Sequence, residues 1–260
     1  MTGSGAFVTV EEQSMNVPFP VSLEGARTAA AVPVDQPADL SAALAALGLH
    51  APRLVVVLVG GAGRMRARDL DRLRPLFEQG LVPGAERLGV VVVDGGTDAG
   101  VMHLLGRART RAGAKFPLVG VPAVGTVRFP GRRFGARRRW PLDAHHTHFV
   151  LVPGAAWGDE APWIARVATE LAGGSPSVTV LVNGGKVAYK DVACSLQVGR
   201  PVLTVAGSGR TADQLASAVR GGPADGRAVR LAASGLVEVV NADDLAALQD
   251  ALGARLQPLA

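Results

Sequence analysis

Six short apolar runs, rich in Val and Leu, punctuate this sequence, and most end in small or turn-forming residues: 54–59, 90–94, 118–121, 148–152, 178–182 and 202–206. A further run lies at 236–240, and 27–34 reads as an earlier, weaker one. Continuous apolar strands of this kind are covered on both faces, because a strand with one wet face alternates apolar with polar residues. Between the runs the period changes to that of a helix. Leu40, Ala43, Leu44 and Leu47 form one stripe, and Leu70, Leu73 and Phe77 a second. Val101, Leu104, Leu105 and Ala108 form a third, and Ile164, Val167, Ala168 and Leu171 a fourth. Leu245, Leu248 and Leu252 mark a last helix, with Asn241 or Asp243 as its cap. This alternation predicts an α/β fold: a doubly wound, mainly parallel sheet with right-handed crossovers and helices on both faces.

Composition enters through the core. Apolar residues make up 48% of the chain but aromatics only 4%, so the interior must be built from Val, Leu and Ala. No apolar run reaches the roughly 18–20 residues that span a bilayer, and the first residues lack the basic-then-apolar pattern of a secretory leader. The single cysteine, Cys194, allows no internal disulfide and reads as a small core residue. A cytoplasmic location is expected. Three stretches interrupt the alternation: 1–25, expected as a loose arm; 122–147, a long excursion between strands; and 221–233, expected as a surface loop. Residues 26–260 are expected to form a single domain closing on a strand–helix pair over 234–260. The net charge of +5 is local: the six arginines between 128 and 139 stand without an acid, and the remainder holds 21 basic residues against 22 acidic. With no nucleic-acid motif beside it, this run reads as a solvated basic hairpin, ahead of a lid over an anion and of nucleic-acid binding.

The chemistry sits where the glycines fall. Gly60-Gly61-Ala62-Gly63 follows the first strong strand, and Gly95-Gly96-Thr97-Asp98-Ala99-Gly100 the second. Pro153-Gly154, Asn183-Gly184-Gly185 and Gly207-Ser208-Gly209-Arg210 follow three others. A parallel sheet gathers all such turns on its carboxyl edge, where ligands bind near a switch in strand order. Glycine lets the backbone approach closely, and the next helix offers free N–H groups and the positive end of its dipole to an anion. Thr97 and Ser208 are expected to add hydroxyls, and Arg210 a bidentate phosphate contact. Neither the P-loop pattern nor Gly-x-Gly-x-x-Gly is present, which argues against a P-loop NTPase and an ordinary NAD dehydrogenase.

Two further constellations carry titratable groups. Asp143-Ala-His145-His146-Thr147-His148 leads into a strand, whose alternation would place neighbouring rings on opposite sides. A structural or ligand-contacting role is therefore expected, and no metal site. Asp159-Glu160 stands at a helix start, where carboxylates complement the dipole and where ribose binding or acid–base work is also open.

The motifs Leu-Val-Val-Val-Leu-Val-Gly-Gly-Ala-Gly at 54–63, Val-Val-Val-Val-Asp-Gly-Gly-Thr-Asp-Ala-Gly-Val-Met at 90–102 and Leu-Asp-Ala-His-His-Thr-His at 142–148 resemble the cytosolic N-terminal region of melastatin-type TRP channels. So do Trp157-Gly158-Asp159-Glu160 and the stretch from Pro201 to Asp213. The resemblance is to the LSDAT group of the SLOG superfamily in a stand-alone prokaryotic form, and it covers roughly residues 26–220. It implies a Rossmann-like domain that senses a nucleotide-derived ligand, ADP-ribose or a related NAD product, with no other cofactor required. The ligand would lie against Gly60, Gly61, Ala62 and Gly63; Gly95, Gly96, Thr97, Asp98, Gly100, Val101 and Met102; Gly154; and Gly207, Ser208, Gly209 and Arg210. Glu160 or Asp98 would read ribose hydroxyls. Dimers are common among such relatives, and any effector would be a separate protein. The LOG phosphoribohydrolases are more distant kin. Their second motif, Pro-Gly-Gly-x-Gly-Thr followed by Glu, is matched only in part by residues 153–160, since Ala155 replaces the second glycine. Binding without turnover is therefore expected. The alternatives are an N-glycosidic hydrolase with Glu160 assisting departure of the base, and an interaction scaffold whose arginine loop docks an acidic partner.

Overall fold

The computed structural model describes residues 17–128 and 140–257. Eleven strands are defined among them, nine in one sheet. In chain order they are β1 (Phe19–Leu23), β2 (Arg27–Pro33), β3 (Val55–Gly60), β4 (Val91–Asp94), β5 (Leu118–Gly120), β6 (Val127–Arg128), β7 (Trp140–Pro141), β8 (His148–Leu151), β9 (Ser177–Val182), β10 (Val202–Ala206) and β11 (Val237–Asn241). The helices are α1 (Leu40–Ala46), α2 (Ala67–Pro75), α3 (Val82–Leu88), α4 (Gly100–Arg111), α5 (Ala161–Ala172), α6 (Lys186–Gln197), α7 (Arg210–Val219), α8 (Gly226–Ala232) and α9 (Leu245–Leu256). A π-helical stretch, Leu76–Leu81, joins α2 to α3.

The large sheet runs β1-β2-β8-β5-β4-β3-β9-β10-β11. All its pairings are parallel except β1 with β2. Alternate β3 side chains feed two cores. Val56 and Leu58 join the core under α2, α3, α4 and α9, while Val55, Val57 and Val59 join the one under α1, α5, α6, α7 and α8. Two-sided burial explains the unbroken apolar runs.

From β3 the chain winds through α2–α3 to β4 and through α4 to β5, moving one way across the sheet. From β8 it crosses back through α5 to β9, on the other side of β3, and winds outward through α6 to β10. The strand order therefore reverses between β3 and β9.

Four expectations need correction. Residues 19–23, expected within a loose arm, form β1, with Val21 buried and Pro20 exposed. Proline fits there because an edge strand has N–H groups that no ladder needs. Residues 1–16 of that arm lie outside the described residues. The loop expected over 221–233 contains α8, started by Asp225, whose carboxylate accepts the Arg227 N–H at 2.8 Å. The last helix is capped by Asp244, not Asn241 or Asp243: its carboxylate accepts the Ala247 N–H at 2.9 Å. The excursion over 122–147 holds the short parallel pair β6–β7, and its arginines beyond Arg128 lie outside the described residues.

Candidate functional site at the carboxyl edge

The turns after β3 and β9 flank the strand-order switch. Gly60 pairs with Val182, and a Cβ on Gly60 would lie 2.0 Å from the Val182 carbonyl oxygen. A Cβ on Gly61 would meet Met65 Sδ at 2.5 Å and Asn183 Oδ1 at 2.6 Å. Only glycines allow the two turns to approach this closely. Asn183 then ties β9 to β10. Its Nδ2 donates to the Ser208 carbonyl at 2.7 Å, its Oδ1 accepts the Gly184 N–H at 2.9 Å, and its own carbonyl accepts the Ala212 N–H of α7 at 2.8 Å. Asn183 has φ of 60°, the left-handed region that asparagine tolerates better than other side chains. Asn183 is not among the site residues expected from the sequence, although an Asn-Gly-Gly directly after a strand is a signal that marks it.

The β4 turn closes against the same place. Gly61 O accepts the Val101 N–H at 2.8 Å, so α4 begins on the β3 turn. Gly100, with φ of 55°, would put a Cβ 2.0 Å from that same oxygen. The structure thus brings together residues 60–63, 95–101, 183–185 and, through Asn183, 207–210. Gly154 and Glu160 belong elsewhere, in a loop packed against α6: Lys190 Nζ donates to the Gly158 carbonyl at 2.6 Å.

Several side chains expected to face a ligand are otherwise engaged. The Ser208 hydroxyl is fully buried, donates to the Val205 carbonyl at 2.6 Å and accepts the Asn183 N–H at 2.7 Å. It locks the β9 and β10 turns together. Val101 and Met102 are buried in the core. Thr97 is 2% exposed. The Asp98 carboxylate is bonded to His103 Nδ1 at 2.5 Å, and that bond holds its pKa below the usual range. Arg210 does reach the crevice: it is exposed, and its guanidinium lies against Gly185, where a Cβ would be 3.2 Å from Nη2. The Trp140 ring stands against Gly63 at the rim and is 37% exposed.

Beneath the β4 turn lies a buried charge cluster. His146 Nε2–H donates to Asp94 Oδ1 at 2.8 Å, and Nδ1–H to Asp143 Oδ1 at 3.3 Å, with no exposure of any of the three side chains. Burial alone would lower the imidazole pKa. The Asp94 charge and the bonds to both acids outweigh it and raise the value to about 10. Asp94 Oδ1 also accepts the Gly96 N–H at 2.7 Å, so the cluster sets the shape of the β4 turn. The cluster ties the histidine-rich stretch to the β4 turn.

The 153–160 loop answers its own anion needs. Asp159 Oδ2 accepts the Ala155 and Ala156 N–H groups at 3.0 and 2.9 Å, bonds that lower its pKa. Glu160 Oε2 accepts the Gly158 N–H at 2.8 Å, and burial raises its pKa. Nearby Asp191 is pushed up to about 8 by burial and by the Glu160 charge. The amides that could cradle a substrate phosphate are thus occupied by a resident carboxylate.

An open depression of about 580 Å³ lies one strand pair away, at the ends of β10 and β11, lined by Gly207, Arg220, Asn241, Asp243 and Asp244 among others. Its two acids make it a poor phosphate cradle compared with the switch between β3 and β9.

A twisted parallel sheet wound on both faces, with its turns meeting at a reversal of strand order, defines the Rossmann-like class of α/β proteins. Within that class the chain belongs to the SLOG family of TRPM proteins in its prokaryotic form: residues 53–249 match the family described as "SLOG in TRPM, prokaryote". It is 28% identical over 204 residues to mouse transient receptor potential cation channel subfamily M member 2, and 29% over 203 residues to rat member 4. Each match covers 65% of this chain but only 13% and 17% of the channels, so the likeness is to one portion of each. Among solved structures, the structural-genomics protein TM1055 superposes with a TM-score of 0.54 at 21% identity, covering 77% of this chain and 99% of that one. The molybdenum cofactor carrier protein of Chlamydomonas reinhardtii gives 0.50 at 16%, covering 78% and 98%. These two share the fold. Among the described residues no helix is long and apolar enough to cross a membrane.

Proposed function

We propose that this chain is a binding module for a nucleotide-derived ligand of the ADP-ribose type, held at the strand-order switch between β3 and β9. The observation that carries the reading is the convergence of the Gly60–Gly63 and Asn183–Gly185 turns there, with Arg210 lying across Gly185. Glycine backbone and a guanidinium suit a pyrophosphate, whose oxygens accept from both. The half-exposed Trp140 ring beside Gly63 supplies a face on which a base can stack. Val101 and Ala212 already donate to Gly61 and Asn183, so the anion would be read by the turn amides and Arg210 more than by the first turns of α4 and α7. One protein that shares the fold, from Chlamydomonas reinhardtii, is a molybdenum cofactor carrier, which is compatible with a small-molecule role. In this reading the module works in the cytoplasm and signals to a separate protein.

Binding without hydrolysis is supported by the 153–160 loop, whose amides Asp159 fills. A thermal-shift screen against ADP-ribose, cyclic ADP-ribose, NAD and AMP, followed by chromatography of each mixture, tests both parts. A ligand at 100 times its Kd stabilises the fold by about 2.7 kcal/mol, and intact ligand is expected afterwards. Arg210→Ala should weaken binding about tenfold, the loss of one charge-assisted contact. Release of free base would replace this reading with an N-glycosidic hydrolase, and no shift by any nucleotide at millimolar concentration would overturn it.

A further inference from the structure

Asp98, His103 and Asp143 each offer one ligand atom, and those atoms lie within 4.8 Å of one another. Two stretches of chain build the arrangement. Asp98 stands just before α4 and His103 in its first turn. Asp143 arrives from the far end of the excursion because that segment zips onto the β4 turn: the Asp98 N–H donates to the Pro141 carbonyl at 2.9 Å, and the Asp143 N–H to the Gly96 carbonyl at 3.0 Å. Gly106 makes the room, since a Cβ there would lie 2.6 Å from Asp143 Oδ1.

The second observation concerns Asp143 alone. Its Oδ1 accepts the His145 N–H at 2.7 Å and the His146 ring, but its Oδ2 is buried and has no hydrogen-bond partner among the described residues. The side chain has no exposure, so bulk water does not solvate that oxygen. A buried carboxylate oxygen left without a partner is costly, the more so when the group is charged. Asp98 and His103, by contrast, are 29% and 27% exposed, and His103 lines a groove of about 160 Å³ between α2 and α4. Two partly exposed ligands thus stand beside a buried third.

We infer that Asp98, His103 and Asp143 form a binding site for one divalent first-row cation. Two carboxylates with an imidazole suit Mn²⁺ or Zn²⁺ better than Ca²⁺ or Mg²⁺, which take oxygen ligands. Three protein ligands leave coordination positions for water. The direct Asp98–His103 bond competes with the ion, so the site is of moderate affinity. It does not rest on the nucleotide reading, whose assigned groups are the amides of the Gly60–Gly63 and Asn183–Gly185 turns, Arg210 and Trp140.

The test uses the full chain after chelator treatment, with MnCl₂ uptake followed by the electron paramagnetic resonance of free Mn²⁺ and ZnCl₂ binding by calorimetry. One ion per chain is expected. Asp98→Asn and His103→Gln, both at partly exposed positions and therefore tolerated by the fold, should each weaken binding by about tenfold or more, as losses around metal sites do. Glu238→Gln, far off on β11, should bind as the parent does. No uptake of either ion at millimolar concentration would overturn the assignment. So would uptake that Asp98→Asn and His103→Gln leave unchanged, since the ion would then sit elsewhere.

Discussion

At the scale of single residues, the buried acids decide what this fold tolerates. His146→Leu would leave Asp94 and Asp143 facing one another without a cation between them. Removing one partner of a buried charged group typically costs about 3–5 kcal/mol, far more than the pair gains over apolar packing. A loss of that size is expected in chemical denaturation of His146→Leu. Asp191 shows the opposite case, an acid that the fold holds neutral. Its folded pKa of about 8 lies above the ordinary carboxyl value of 3.8, so between those values the protonated form is favoured only in the native state. That contribution is complete below about pH 4 and is lost as pH rises to 8, because the unfolded chain ionises first. Asp191→Asn keeps the shape without the charge. It should match the parent near pH 4 and gain on it up to pH 8, by up to about 1.4 kcal/mol per pH unit. Melting curves at a series of pH values check this, and a constant offset between the two proteins would contradict it.

At the scale of elements, the turns explain both what the sequence announced and what it hid. Gly100 and Gly89 both adopt positive φ, 55° and 62°, yet only Gly100 is hemmed in, its Cβ position being 2.0 Å from Gly61 O. Gly89→Ala should cost about 1 kcal/mol, the ordinary left-handed penalty. Gly100→Ala should cost distinctly more, because α4 must also retreat from the β3 turn; paired denaturation curves compare them. The strands were legible because burial on both faces forces unbroken Val and Leu. Helices with bulky inward stripes were legible too: Leu40, Leu44 and Leu47 of the first are all buried. By contrast α6 turns Ala188, Asp191, Val192 and Ser195 inward, and small or polar residues leave no stripe to count. The glycine turns announced the carboxyl edge, but not which of their side chains were free. Ser208 looked like a ligand hydroxyl and is a clasp, because whether a hydroxyl faces solvent depends on contacts 25 residues away in the chain. The Asp94–His146–Asp143 cluster was half visible in its histidines; the partner Asp94 lies 52 residues from His146 and only the fold joins them.

At the scale of the whole molecule, stability should fall from the centre of the sheet outward, and the ligand should be felt at one edge of that centre. β3 is covered on both sides, its residues from Val55 to Val59 no more than 4% exposed, while β11 at the sheet's margin is half-buried along most of its length. Amide hydrogen exchange should therefore be slowest in β3, β4 and β9, which open only with global unfolding, and fastest among the strands of this sheet in its two margins, β1 and β11, which can fray. Saturation with ADP-ribose should add protection at residues 60–63, 183–185 and 209–210, the amides that meet at the switch in strand order. Those amides come from three turns distant in sequence, so joint protection of all three would mark one shared ligand and not local stiffening of a loop. Protection confined to residues 241–244 would instead place the ligand in the open depression beside β11, and Arg210 would then lose its assigned role, because that depression draws its positive charge from Arg220.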